Sequence, residues 1–238
     1  LLCVEPLQTY EVVGLTTAIG FAFGVMGINV GHELGHRDTW YEQLMAKMLL
    51  LPSLYMHFFI EHNRGHHVHI ATDEDPASAR RGEWLYAFWL RSVVGGVVSA
   101  ARLEGQRLRF LKLSFWHWRN EFLWFVLIQA AYVAGLFLLL PASVAALMLA
   151  AGCMGFLLLE TVNYIEHYGL RRQRLPSGRY ERVQPHHSWN SNHALGRILL
   201  YELTRHSDHH YKASRKYQIL RHLPAPNLPL GYPAAMLL

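Results

Sequence analysis

Four short histidine motifs, each set against a long apolar run, constrain this chain more than any other feature. They read His32-Glu33-Leu34-Gly35-His36, Glu61-His62-Asn63-Arg64-Gly65-His66-His67, Asn163-Tyr164-Ile165-Glu166-His167 and His206-Ser207-Asp208-His209-His210. Neutral imidazole is the commonest metal ligand in proteins. One ion takes three or four such groups, so the nine histidines of these motifs are too many for one ion and suit two. The pattern points to a metal pair at the edge of a membrane and to chemistry on an apolar molecule.

Composition supports the membrane. Of 238 residues, 52% are hydrophobic and only 16% charged, where ordinary soluble domains are about a quarter charged. The formal charge of +5 comes from clustered basic loops. One holds Arg102, Arg107, Arg109, Lys112 and Arg119. A second holds Arg171, Arg172, Arg174, Arg179 and Arg182, and a third Arg205, Lys212, Arg215, Lys216 and Arg221. Basic clusters beside apolar spans mark the cytoplasmic face. No nucleic-acid motif accompanies them, so no nucleic-acid partner is expected. The two cysteines, Cys3 and Cys153, form no CxxC pair, which argues against a disulfide framework or a cysteine metal site. The chain starts without Met and both ends look cut. We therefore expect a single membrane-embedded catalytic domain over residues 1–238 that belongs to a longer protein.

The first apolar run, roughly Val12 to Val30, is long enough to cross a bilayer, which takes about 20 residues. Gly20, Gly24, Gly27 and Gly31 place small residues along one face. Close helix packing is the favoured reading; a groove for a thin substrate is the alternative. The second run, about Leu44 to Ile60, begins after one motif and ends on the next. If both motifs feed one centre, a simple span cannot join them. Either the segment is broken or re-entrant, with Pro52 as the break, or the first helix projects past the membrane surface. From Asp73 to Asn120 the chain is mixed, with Trp84, Trp89, Trp116 and Trp118 among arginines. This composition suits the headgroup zone or amphipathic surface helices equally. Glu121 to Leu140 and Ala142 to Thr161 form a helical hairpin at Pro141 that runs straight into the third motif.

His32 and His36 are spaced i, i+4 and share a helix face, as do His62 and His66, and His206 and His210. The adjacent pairs His66-His67 and His209-His210 point about 100° apart on a helix, so each can serve two ions. Glu33, Glu61, Glu166 and Asp208, with Asn163, lie inside the motifs. The carboxylates are expected to accept the second ring N–H and fix the tautomer of the ligands. No catalytic residue beyond the ligands is expected. His57 reads as a buried structural histidine, His69 as a neighbour that supports the site, and His117 and His222 as surface residues. The stretch Pro185-His186-His187-Ser188-Trp189-Asn190-Ser191-Asn192-His193 reads as a loop that scaffolds the site, with a ligand role as the weaker alternative.

Together these residues resemble the integral-membrane alkane 1-monooxygenases, within the membrane fatty-acid desaturase and hydroxylase superfamily. The resemblance rests on HELGHR, EHNRGHH, NYIEHYGL, PHHSWNSNH and RHSDHH, in that order, and covers about Gly27 to Tyr232. It implies hydroxylation of the terminal methyl of medium-chain linear alkanes by O2 at a non-haem diiron centre. Electrons would come from NAD(P)H through rubredoxin reductase and rubredoxin, separate or fused. It implies that His32, His36, His62, His66, His67, His167, His206, His209 and His210 hold the two irons. The location implied is the bacterial cytoplasmic (inner) membrane, multi-pass, with the site facing the cytoplasm and basic loops offering an acidic rubredoxin a dock. Members of the family carry further transmembrane helices before the first motif and a longer C-terminus, so alkane length preference is not legible here.

Other readings stay open at this stage. A membrane fatty-acyl desaturase or hydroxylase shares three histidine boxes and differs in product. His32-Glu33-Leu34-Gly35-His36 alone also matches the HExxH of zinc peptidases. That reading leaves seven motif histidines unused. A metal transporter would place its ligands near the bilayer midplane, whereas these lie at the ends of the apolar runs.

Overall fold

The computed structural model describes residues 7–236, so Cys3 lies outside the described residues. The fold is helical. Among the described residues β pairing is limited to two isolated bridges, Arg174 with Tyr180 and Asn190 with Asn227. Helix α1 runs Thr9–Gly35, α2 Trp40–Leu50, α3 Leu85–Phe110, α4 Glu121–Leu139 and α5 Ala142–His167. Two short helices follow, α6 over Ala194–Leu199 and α7 over His206–Tyr211. Three of these, α1, α4 and α5, are long and apolar enough to cross a membrane.

The chain divides into two compact units, residues 1–60 with 100–159, and residues 61–99 with 160–238. The first is built on apolar packing with little room between backbones. On α1, a Cβ at Gly20 would lie 2.8 Å from Met154 Sδ, and one at Gly24 3.0 Å from the Gly155 carbonyl oxygen. About two turns further, a Cβ at Gly31 would lie 3.2 Å from the Ala46 carbonyl. The glycines of α1 therefore serve close helix packing, against α5 above and α2 below. At 27 residues and about 1.5 Å rise per residue, α1 is longer than the ~30 Å hydrocarbon core.

The second apolar run breaks where Pro52 sits. Helix α2 ends at Leu50, a turn follows with Leu54 at φ 52, and helix resumes at Phe58–Glu61. The break in the second segment expected at Pro52 is thus present. The break is seated on α5, where Gly152 lets the Pro52 carbonyl approach and Gly155 admits Ser53 Oγ. Tyr55 stacks on Phe156 at 5.1 Å, and the Met56 N–H donates to Gln129 Oε1 at 3.0 Å. The hairpin of α4 and α5 turns at Pro141 as read from sequence, and Asn120 caps α4 by accepting from the Leu123 N–H.

In the second unit α5 contributes its last two turns, and long polar loops replace apolar helix faces. A small core of Val162, Ile165, Leu200, Leu203 and Tyr232 holds them. Arg172 ties the loops together by donating to the carbonyls of Val68 and Glu181. Helix α5 ends at His167, and Gly169 two residues on has a φ of +71 that suits glycine and an N–H that donates to the Ala79 carbonyl at 3.0 Å.

Within the mixed stretch from Asp73 to Asn120 the chain forms one 26-residue helix, α3, in line with the amphipathic-helix reading of that stretch. Its arginines and the Gly95-Gly96 pair hide the period. Arg91 is clamped to Glu83 and to the carbonyls of Pro76 and Ser78, and Gly95 packs directly on Pro76.

Gly152→Ala should destabilise the protein by about 1–3 kcal/mol, because its Cβ meets a backbone oxygen at 2.6 Å that cannot swing away. Gly135→Ala on α4, with nothing within 4 Å, should be neutral or stabilising. Thermal unfolding of the two variants in detergent tests the pair; equal midpoints would refute the packing argument.

Candidate metal centre

Seven of the nine motif histidines that the sequence singles out sit in the second unit, and there they sort into two clusters. The first comprises His66, His167, His206 and His210, all buried, with one ligand nitrogen from each lying within 4.8 Å of the others. His206 Nε2 is 3.2 Å from His167 Nε2 and 2.8 Å from His210 Nε2. The second comprises His62, His67 and His209, where the Nε2 atoms of His62 and His67 are 3.0 Å apart. In the first unit, His32 and His36 bring their Nε2 atoms to 3.2 Å of each other near the end of α1.

Local helix geometry explains the sorting. On α7, His206 and His210 are one turn apart and enter the same cluster, while His209 points to the other. His66 and His67 divide in the same way, as adjacent residues on a helix must. His62 does not follow its i, i+4 expectation. Residues His62–His66 form a π turn, in which hydrogen bonds run to the fifth residue. His62 therefore pairs with His67 and leaves His66 to the four-histidine cluster. A second π turn, Phe23–Ile28, lies one turn before the first motif.

The donor set fits a divalent transition metal. Two nitrogens each about 2.1 Å from one ion and at right angles are about 3.0 Å apart, and the observed separations are 2.8–3.2 Å. The four histidines of the first cluster are buried, and His66 Nε2 has no hydrogen-bond partner. A buried nitrogen left so costs about 1–3 kcal/mol unless something binds it.

The polar residues of the motifs take varied partners. Glu33 pairs with Arg37. Glu61 accepts from Ser99 at 3.4 Å, and burial pushes its carboxyl up to about 8. Asn163 donates to Glu160 at 3.3 Å. Glu166 Oε2 lies 3.2 Å from His206 Nε2, on the side of that ring where the cluster's nitrogens gather. Asp208 is fully buried, accepts from Arg221 and forms an ion pair with Arg215. A carboxylate outside the motifs, Asp75, lies 2.9 Å from His66 Nδ1. Burial opposes charge on both partners, but their mutual attraction outweighs it, holding Asp75 below and His66 above their ordinary pKa values. Its sequence signal is slight: an Asp-Pro turn nine residues past His66.

The remaining histidines take structural places. His57 is buried against Tyr55. His69 faces Glu74 at the surface rather than the clusters. His186 and His187 gather with Glu181 into a third group of possible ligands. His187 is committed, however. Its Nδ1 accepts from the Gln184 N–H at 2.9 Å, so its Nε2 carries the proton and donates to Glu181. The loop scaffolds the centre through Asn190. Its Oδ1 accepts from the Ser207 N–H at 2.9 Å and its Nδ2 donates to Ser207 Oγ at 2.8 Å, gripping α7.

The sequence profile of the fatty acid desaturase family matches residues 9–234. Alkane 1-monooxygenase 2 of Pseudomonas aeruginosa is 46% identical over 94% of this chain and 60% of its own length. Alkane 1-monooxygenase of Ectopseudomonas oleovorans is 43% identical over 98% of this chain and 58% of its own length. Alkane 1-monooxygenase 1 of Alcanivorax borkumensis is 43% identical over 96% and 57%. The chain thus spans about 60% of the length of the curated relatives it matches. Helices that can cross a membrane, buried histidine clusters and a profile match over nearly the whole chain agree, and the chain belongs to the fatty acid desaturase family.

Proposed function

We propose that this chain carries the metal centre of a membrane alkane 1-monooxygenase that hydroxylates the terminal methyl of medium-chain linear alkanes. The observation that carries the reading is the pair of buried all-histidine clusters in the second unit. Similarity to alkane 1-monooxygenases at 43–46% identity supports it. All nine motif histidines are proposed as ligands of two irons, with His32 and His36 included on their motif and their converging nitrogens. The overall reaction takes one alkane, one O2, two electrons and two protons to one 1-alkanol and one water. Non-haem iron, when bound, supplies the O2 chemistry that breaks the C–H bond.

The chain's own residues do the rest. Neutral, buried imidazoles hold the ions without adding counter-charge. Asn190 and the Arg215–Asp208–Arg221 network fix α7, so that His206, His209 and His210 keep their directions. Apolar, buried surroundings exclude bulk water and favour a hydrocarbon substrate over a polar one. Electrons are proposed to come from NAD(P)H through a reductase and rubredoxin, which the basic loops would receive. The site would face the cytoplasm at the inner membrane.

The full-length protein in membranes, given rubredoxin, reductase, NADH and octane, should form 1-octanol carrying oxygen from labelled O2, read by gas chromatography with mass spectrometry. An olefin without label, or product from acyl chains alone, would overturn the alkane reading in favour of a desaturase or acyl hydroxylase. His36→Ala and His209→Ala should each abolish turnover and lower bound iron, whereas His186→Ala should do neither. Full iron content in the first two, measured by metal analysis, would remove them from the ligand set.

A further inference from the structure

Asp75 lies outside all four histidine motifs, yet the loop around it is organised to place one carboxylate. Its Oδ2 is 2.9 Å from His66 Nδ1 and accepts from Ser78 Oγ at 2.5 Å; its Oδ1 accepts from the Ala77 N–H at 2.9 Å. Ser78 Oγ in turn accepts from the Ala71 N–H at 2.7 Å. Arg91 on α3 donates to the carbonyls of Pro76 and Ser78, and the Cα of Gly95 packs against Pro76. The side chains of Asp75 and His66 are 0% and 1% exposed, so no water screens the pair.

A carboxylate can only accept in this pairing, so the ring proton of His66 must sit on Nδ1. The lone pair then sits on Nε2, the atom that is buried without a partner. A full negative charge therefore stands behind the ring of His66, on the side away from Nε2.

We propose that Asp75 is a positioning residue for the metal centre, fixing the tautomer of His66 and strengthening that ring as an electron donor to the metal. The inference rests on the reading of that cluster as an iron site. Charge behind a ligating imidazole raises its basicity and favours the oxidised metal. Asp75 thus sets the reduction potential of one iron, and acts on the reaction through His66 without touching substrate.

The test uses the full-length protein loaded with isotopically enriched iron. It compares wild type, Asp75→Asn, Asp75→Ala, Ser78→Ala and Glu83→Gln by iron content, Mössbauer spectrum and midpoint potential. Asn keeps the shape and an acceptor for the Nδ1 proton but loses the charge. It should retain two irons, shift the signal of one, raise the midpoint potential and lower kcat with KM for alkane unchanged. Asp75→Ala should weaken iron binding about 10–100-fold. Ser78→Ala, which removes one bond to Oδ2, should shift the potential the same way by less. Glu83→Gln loosens the Arg91 clamp on the same loop without touching the pair, and should keep the wild-type spectrum. A wild-type potential in Asp75→Asn, or an equal shift in Glu83→Gln, would overturn the proposal. A wild-type protein that binds no iron would overturn the metal reading itself, and this inference with it.

Discussion

Imidazole nitrogens crowded to about 3 Å, in a place without water, are the constraint on which the second unit depends. Lone pairs facing one another at that distance gain nothing from each other. A shared cation turns the same crowding into coordination, and its binding free energy then becomes folding free energy. The loops of this unit make sense in that light. Beside their small apolar core, side chain to backbone bonds carry much of the order. Arg172, Asn190 and Asp208 each tie segments that lie far apart in sequence.

The first unit obeys the opposite rule. Its order comes from backbones brought close by glycine, with Gly20 and Gly24 on α1 matched by Gly152 and Gly155 on α5. Inside lipid there is no hydrophobic gain in joining two helices, and close van der Waals approach supplies the preference. Helix α5 belongs to both regimes. At 26 residues and about 1.5 Å each it exceeds the ~30 Å core. Its final turns carry Glu160, Asn163, Glu166 and His167, which the hydrocarbon would not tolerate.

Much of the fold was legible where a single residue type decides it. Pro141 set the hairpin and Pro52 the break, because proline removes a donor and clashes with the preceding turn. The division of each adjacent histidine pair between two clusters followed from helix geometry. The π turn at His62–His66 was not legible: one extra residue in a turn leaves no composition signal, yet it reassigns His62 from His66 to His67. For the stretch that holds α3 the sequence left a headgroup segment and amphipathic helices equally open, because the stability of this helix is tertiary. Gly95-Gly96 disfavours a helix locally, and the Pro76 contact and the Arg91 clamp override that preference.

The carboxylates show why motif membership is a poor guide to chemical role. Asp208 stands between two histidines of the last motif, but two arginines occupy its oxygens, and it anchors the C-terminal segment to α7. Glu33 likewise faces Arg37. On a helix, adjacent residues point to different faces, so Glu33 and Asp208 meet arginines, whereas Glu166 reaches His206. The group behind a ligating ring must approach from the opposite side, and that position is open to a loop from elsewhere in the chain. Asp75 occupies it, held by the Ser78 hydroxyl and the Ala77 amide. Sequence proximity selects which histidines converge, while tertiary structure selects which carboxylate stands behind them.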